Sequence, residues 1–288
     1  MSAIGAEGAR GVKAVDLGEN HGCVVLSDGG VVCWGSGLNG RLGTGSTANV
    51  EDLNDAVRVS QLDGSVGHRA IALSTAYHHS CAVRSDGRVL CWGLNSDGQC
   101  GLDPANANVL VATEVAGVTN AVAVTTGDAH SCALRADSTV VCWGSDGEGQ
   151  LGNGAAAGSS HMPAAVSAGS TNLDGVVAIE AEWSGTCALL STVGLSCWGN
   201  THQGPSYPTH QVATGVSGFT DITSIAAGGN HVCARRADGR VLCMGANGYG
   251  VLGQGHGNAV NGVVEVNGAH TFASIFSGNY PGMRQGRV

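Results

Sequence analysis

The sequence predicts an all-β fold: a β-propeller of four-stranded blades, with five complete repeats and part of a sixth. Three observations carry this. Ten of the eleven cysteines fall in pairs, at 23 and 33, 81 and 91, 132 and 142, 187 and 197, and 233 and 243, with ten positions separating each pair. The residues around the pairs repeat with a period of roughly 50, the range of propellers and related arrays. Glycine is abundant (48 of 288 residues) and proline scarce (5), and the apolar residues come in short runs, so many tight turns must join many short strands.

Each unit opens on an apolar run, at 12–17, 70–73, 121–124, 176–179 and 222–226, which supplies the first strand. A hairpin follows. In the first unit, GENHGCVVLSDGGVVCWG at 18–35, residues 23–26 and 30–34 are strands and 27–29 the loop. Gly29, Gly87 and Gly239 fall where a three-residue loop needs a left-handed backbone. The third unit has Ser138 there and the fourth reads Thr192, Val193, Gly194, so these two turns are expected to be less regular. A glycine-rich turn comes next (NGRLG at 39–43, DGQCG at 97–101, EGQLG at 148–152, YGVLG at 249–253), reduced to HQG at 202–204 in the fourth unit. A variable connector and often one more apolar run complete about four strands per unit, the content of a propeller blade. The chain thus divides as one domain, 1–288, with units at about 12–65, 66–116, 117–171, 172–217 and 218–267 and a partial unit at 268–288. Within the last, Gly278 matches Gly228 and residues 286–288 match 239–241.

The hairpin frame sets Cys23 opposite Cys33, and likewise Cys81 and Cys91, Cys132 and Cys142, Cys187 and Cys197, and Cys233 and Cys243. Opposed β-carbons on neighbouring strands lie about 4.5–5.5 Å apart, within a small adjustment of disulfide range. The alternative is that all ten are small buried apolar residues, which leaves their strict pairing unexplained. Five disulfides are therefore expected, with Cys100 left as a free thiol, buried or, if exposed, able to bridge to another molecule.

The pattern in the third unit (Gly127, His130, Ser131, Ala133, Leu134, Asp137, Trp143, Gly144, Gly149, Gln150, Leu151, Gly152) resembles the regulator of chromosome condensation repeat. The resemblance covers about residues 12–255. It implies a propeller, commonly of seven blades, and partners bound through loops on one face. The cysteine-paired form is similar to bacterial secreted or surface members, and paired cysteines suit an oxidising compartment. Residues 1–10 (MSAIGAEGAR) have neither the basic nor the apolar region of a secretory signal, so an exported form would have lost its leader.

The formal net charge is −9, and the 13 Lys and Arg residues are scattered, which argues against nucleic acid or an anionic membrane as partner. No apolar run approaches the ~20 residues of a membrane helix, so no membrane insertion is expected. His21, His79, His130 and His231 are repeat-equivalent; they are expected to hydrogen-bond a backbone turn within their own blades, the alternative being a ring of imidazoles for a metal or anion. Trp34, Trp92, Trp143 and Trp198, with Met244 in the fifth unit, read as packing between blades. Asp97, Asp146 and Glu148 have calcium-loop spacing without the closing bidentate acid, and read as turn residues. Trp183 breaks the repeat, in Glu182-Trp183-Ser184-Gly185 where other units have Gly-x-x-His, and is the candidate binding residue, with Tyr77, Tyr207 and Tyr249 able to join it. No nucleophile elbow, zinc-protease motif or phosphate loop occurs, so neither enzymatic activity nor a cofactor is expected. The expected function is an extracytoplasmic protein-binding scaffold acting through the variable connectors 44–69, 102–120, 153–175 and 200–221. The alternative is a structural, adhesion or filament subunit assembled through the incomplete last blade. A guanine-nucleotide exchange role is opposed by the acidic charge and the cysteine pairs.

Overall fold

A computed structural model describes residues 11–276 except 53–54, 156–157, 193, 202–208 and 269. Its strands form five separate four-stranded antiparallel meanders. Blade one holds β1 (Val12–Leu17), β2 (His21–Leu26), β3 (Val31–Gly35) and β4 (Val57–Arg58); blade two β5 (Ala70–Thr75), β6 (His79–Arg84), β7 (Val89–Leu94) and β8 (Asn108–Glu114). Blade three holds β9 (Ala121–Thr126), β10 (His130–Arg135), β11 (Val140–Ser145) and β12 (Ser159–Ala165); blade four β13 (Val176–Ala181), β14 (Ser184–Leu190), β15 (Leu195–Asn200) and β16 (Thr209–Val216); blade five β17 (Ile222–Gly228), β18 (His231–Arg236), β19 (Val241–Gly245) and β20 (Val264–Glu265). The variable connectors named above are each split by a fourth strand, β4, β8, β12 or β16.

The hairpin register follows from the turn. Leu26 N–H donates to Gly30 O and Gly29 N–H to Leu26 O, with Gly29 at φ 86°. Counting back along the ladder sets Cys23 against Cys33, and the same holds in the other four blades. These are the close, non-hydrogen-bonded pairs of an antiparallel ladder; the paired Cα atoms lie 4.1–4.2 Å apart and all five disulfides are formed. The expectation of an irregular third turn is corrected. Ser138 takes φ 66°, and its N–H donates to Arg135 O at 3.0 Å as glycine does elsewhere. Asp137 accepts from both the amide and the hydroxyl of Thr139, and the ladder on either side holds the serine in a conformation that L-residues avoid by about 1–2 kcal/mol. In the fourth turn Val193 lies outside the described residues, but Leu190 N–H still donates to Gly194 O.

The first strands β1, β5, β9, β13 and β17 surround a central cavity of about 380 Å³, which Ile275 and Phe276 also line. Phe272 N–H donates to Gly239 O, as Ala70, Ala121 and Val176 donate to Gly29, Gly87 and Ser138. Residues 272–276 therefore stand where a sixth first strand begins; the matches at Gly278 and 286–288 fall outside the described residues. Among the described residues, the blade-one flank of the array is uncovered. Val12, Val15 and Leu17 on β1 are 60%, 59% and 47% exposed, whereas their counterparts Ala121, Val124 and Thr126 on β9 are buried beneath the preceding blade.

Three kinds of bond join successive blades. The imidazole Nε2 of His21, His79 and His130 meets a hydroxyl of the next blade, at Ser80, Ser131 and Thr186, each at 2.8 Å. This corrects the expectation of a bond confined to the blade: the two partners flank the seam between neighbouring blades. The indole N–H of Trp92, Trp143 and Trp198 donates back to a carbonyl in the glycine-rich turn of the preceding blade, at Arg41, Gln99 and Gln150. In the channel wall, Asp16, Ser74 and Thr125 each accept a backbone N–H from the following blade, at Thr75, Thr126 and Ala181. Trp34, in the first of the described blades, rests on Gly22, where a β-carbon would lie 2.6 Å from its ring. The turn reading of Asp146 fits: its carboxylate accepts Leu151 N–H, as the amide oxygens of Asn95 and Asn247 accept from Cys100 and Leu252.

Candidate binding face at the channel mouth

Because the first strands all run the same way along the channel, their exit turns (18–20, 76–78, 127–129, 182–183 and 229–230) crowd one end of it. Neighbouring turns are tied by backbone bonds: Asp128 N–H donates to Trp183 O, and Trp183 N–H to Gly229 O, both at 3.0 Å. Repeat position therefore becomes ring position, and it brings Tyr77 of blade two against Trp183 of blade four, with ring centroids 5.4 Å apart and planes tilted by 40°. Tyr77 is buried and Trp183 is 37% exposed, so the pair shows an aromatic edge to solvent.

Arg41 supports this pair from below. It is fully buried; its Nε donates to Leu38 O, one terminal nitrogen to Tyr77 O at 3.0 Å, and the other lies 3.0 Å from His78 Nδ1. It occupies the place that Gln99 and Gln150 hold in later turns. Glu182 marks a reciprocal exchange within blade four. Gly18 and Gly127 lie against their own blade's imidazole, so close that a β-carbon would sit 2.7 and 2.2 Å from the ring. In blade four the histidine is replaced by Gly185, and the glycine by Glu182, whose fully buried carboxyl is raised well above its ordinary range by burial.

The mouth is acidic. Glu19 and Asp128 share Trp183's repeat position. Burial raises the Asp128 carboxyl, the negative charges of Asp97 and Glu19 add to this, and His78 opposes it. The loops after the third strands open on the same end, linked to the exit turns by Ser36, Leu94, Ser145 and Ala246 N–H donating to Asn20, His78, Ala129 and Asn230 O. They carry Glu51, Asp52, Asp97, Asp103 and Glu148 at or near the surface, while Asp146 and Arg41 are buried. The opposite end is mixed, with ion pairs Arg58–Asp28, Arg84–Asp86, Arg88–Glu114 and Arg236–Asp238.

Of the residues singled out in the sequence, Trp183 and Tyr77 are brought together. Tyr249 is 79% exposed in the blade-five loop, with no ring contact to that pair among the described residues, and Tyr207 lies outside them. Cys100 is fully buried; its thiol donates to Leu94 O, and burial pushes its pKa up. His21, His79 and His130 each sit in a separate seam, and among the described residues no group of three or more His, Cys, Asp or Glu is placed to hold a metal. Sequence reading missed Arg41, Glu19 and Asp128. The available signal was charge at repeat positions where other units have uncharged residues: Gln99, Gln150 and Val251 for Arg41, and Tyr77, Trp183 and Gly229 for Glu19 and Asp128.

Fold and mouth together define a disulfide-clasped β-propeller whose channel opens on an acidic, aromatic-centred face. The regulator of chromosome condensation (RCC1) repeat matches residues 12–41, 71–99, 121–150 and 222–251, and a further match to that repeat covers 86–134. The chain thus carries RCC1 repeats. It is 33% identical over 150 residues to the probable E3 ubiquitin-protein ligase HERC6 of Homo sapiens, covering 49% of this chain and 13% of that protein. Against human HERC2 it is 28% identical over 261 residues, 86% of this chain and 5% of HERC2, and against the Arabidopsis thaliana ultraviolet-B receptor UVR8 28% over 260 residues, 85% of this chain and 56% of UVR8. It thus spans a small part of the HERC proteins and about half of UVR8. Among solved structures, human WBSCR16 superposes with a TM-score of 0.78 at 22% identity, covering 93% of this chain and 70% of that one. Prp20p of Saccharomyces cerevisiae gives 0.58 at 16% identity, with coverage of 90% and 77%.

Proposed function

We propose that this chain is an extracytoplasmic protein-binding scaffold whose partner docks a basic surface on the channel mouth. The Tyr77–Trp183 pair carries this reading, because a half-exposed aromatic edge ringed by carboxylates supplies both apolar area and charge complementarity. Prp20p, described by its binding properties to Gsp1p and histones, supports the view that such propellers serve as protein docks. The five disulfides support the compartment. Assembly through the incomplete last blade has less support, since the two flanks do not match: His231 would need a hydroxyl where blade one has Gly22.

The test is retention of proteins from a native extracellular extract by the immobilised chain. A specific partner should be retained, released as salt rises to about 0.5 M, and lost at least tenfold with Trp183→Ala. Retention unaffected by Trp183→Ala overturns the assigned face. Alkylation in denaturant without reductant should add one label, at Cys100; eleven labels overturn the compartment.

A further inference from the structure

The central channel contains chemistry that the docking face does not use. At one level of its wall the first strands contribute Asp16, Ser74, Thr125, Glu180 and Ala226, each opposite the first cysteine of its hairpin. The first three bond the following blade. Glu180 differs: its carboxyl makes no hydrogen bond among the described residues, is half-buried, and opens into the cavity that Asp16 also lines. Among the described residues the lining contains two carboxyls and no lysine, arginine or histidine. The next level is apolar, formed by Val15, Leu73, Val124, Ile179, Ile225 and Ile275. The cavity, about 380 Å³, is within the range of small-molecule sites.

A carboxyl pair withdrawn from bulk water into a channel favours a compensating positive charge. Without one it keeps a proton, and burial, aided by the Asp16 charge, pushes Glu180 up to about 8. A ligand that fits must bring a cationic head to Glu180 and Asp16 and an apolar body to the layer beside them. We infer that the central channel is a binding site for an alkylammonium group, its nitrogen held between Glu180 and Asp16 and its carbon chain against Ile179, Ile225 and Leu73. Binding releases the Glu180 proton to solvent, so charge balances without another reactant. The group can come from a free amine or from a lysine side chain of a docked protein.

Calorimetric titration of the full chain at about pH 8 tests this, with n-butylammonium chloride, its neutral analogue 1-butanol, and an acetylated, amidated Gly-Lys-Gly peptide as probes. Butylammonium should bind at least tenfold more tightly than butanol, and Glu180→Gln should remove at least tenfold of that affinity. The Glu180 carboxyl bonds nothing among the described residues, so this variant is expected to fold normally, which its disulfide-intact mass and circular dichroism would establish. At about pH 7 the heat of binding should vary with buffer ionisation enthalpy, and that dependence should vanish in Glu180→Gln. Binding of the free amine identifies the source as a small amine; binding of the peptide alone identifies a protein lysine. Equal affinity for butanol and butylammonium, undiminished affinity in Glu180→Gln, or no heat with either amine at about 10 mM overturns the site. These outcomes are independent of Trp183→Ala, so the channel site and the docking face stand or fall separately.

Discussion

Blades one to four are joined differently from blades four and five. At each of the first three seams an imidazole meets a hydroxyl and an indole meets a carbonyl. At the fourth, Gly185 stands in place of the histidine, Val232 in place of the hydroxyl, Met244 in place of the tryptophan, and Glu180 turns into the channel. The partners have changed together. A buried histidine or serine left without its mate costs about 1–3 kcal/mol, whereas replacing both by apolar groups is nearly neutral. The fourth seam is accordingly packed by Leu189, Phe219, Ile222, Ile225, Val232 and Met244. Polar seams specify one alignment of blades; an apolar seam supplies cohesion with less direction.

The largest expected effect separating the two kinds of seam comes from the aromatic position. Trp143→Ala should lower unfolding free energy by about 3–5 kcal/mol and Met244→Ala by about 2 kcal/mol, read from urea denaturation; equal losses would erase the distinction. Acid should act on the polar seams. Burial lowers His21 and His79 to about 3 and His130 to about 4. With folded values below the unfolded 6.5, their contribution is complete above pH 6.5 and lost as pH falls toward 3, by about 2 kcal/mol per histidine at pH 5. Comparing denaturation at pH 7 and 5 should show the loss, reduced by one share in His79→Ala. Glu180 works in the opposite sense. Its folded value, raised to about 8, lies above its unfolded one, so stability falls as pH rises from about 4.5 to 8. Glu180→Gln should flatten that limb by about 1–2 kcal/mol, less than the shift alone implies because channel water screens the charge. The smallest effect is kinetic. Cys233 is partly exposed while the other bridged cysteines are buried, so limited reduction of the folded protein should open Cys233–Cys243 first, as mass mapping of the alkylated cysteines would show.

What was legible in the sequence was local. The cysteine register required only a ten-residue spacing and a three-residue loop, and the five-blade count followed from repetition. Ser138 was misjudged because residue type was weighed without Asp137 and Thr139, whose bonds stabilise the turn. The histidines were misplaced because Nε2 and its hydroxyl lie more than 50 residues apart in sequence; the clue was a Ser or Thr directly after the histidine's position in the following unit, present at Ser80, Ser131 and Thr186 and absent at Val232. The Tyr77–Trp183 contact required the ring itself, since nothing in a linear repeat says which turns meet across a channel. Arg41 was invisible for a similar reason: an arginine in a surface-type turn gives no sign that it will be fully enclosed.

Every disulfide closes within a single hairpin, and none crosses from blade to blade. Under tension applied at its two ends, the chain would therefore yield as a series of separate events. Blades would peel away one at a time, and each would withhold its clasped loop from the lengthening thread. Adding reductant would lengthen every step by the same increment. During synthesis the same layout lets each thiol find its mate before the next pair has emerged, so few of the many conceivable mispairings would ever be sampled.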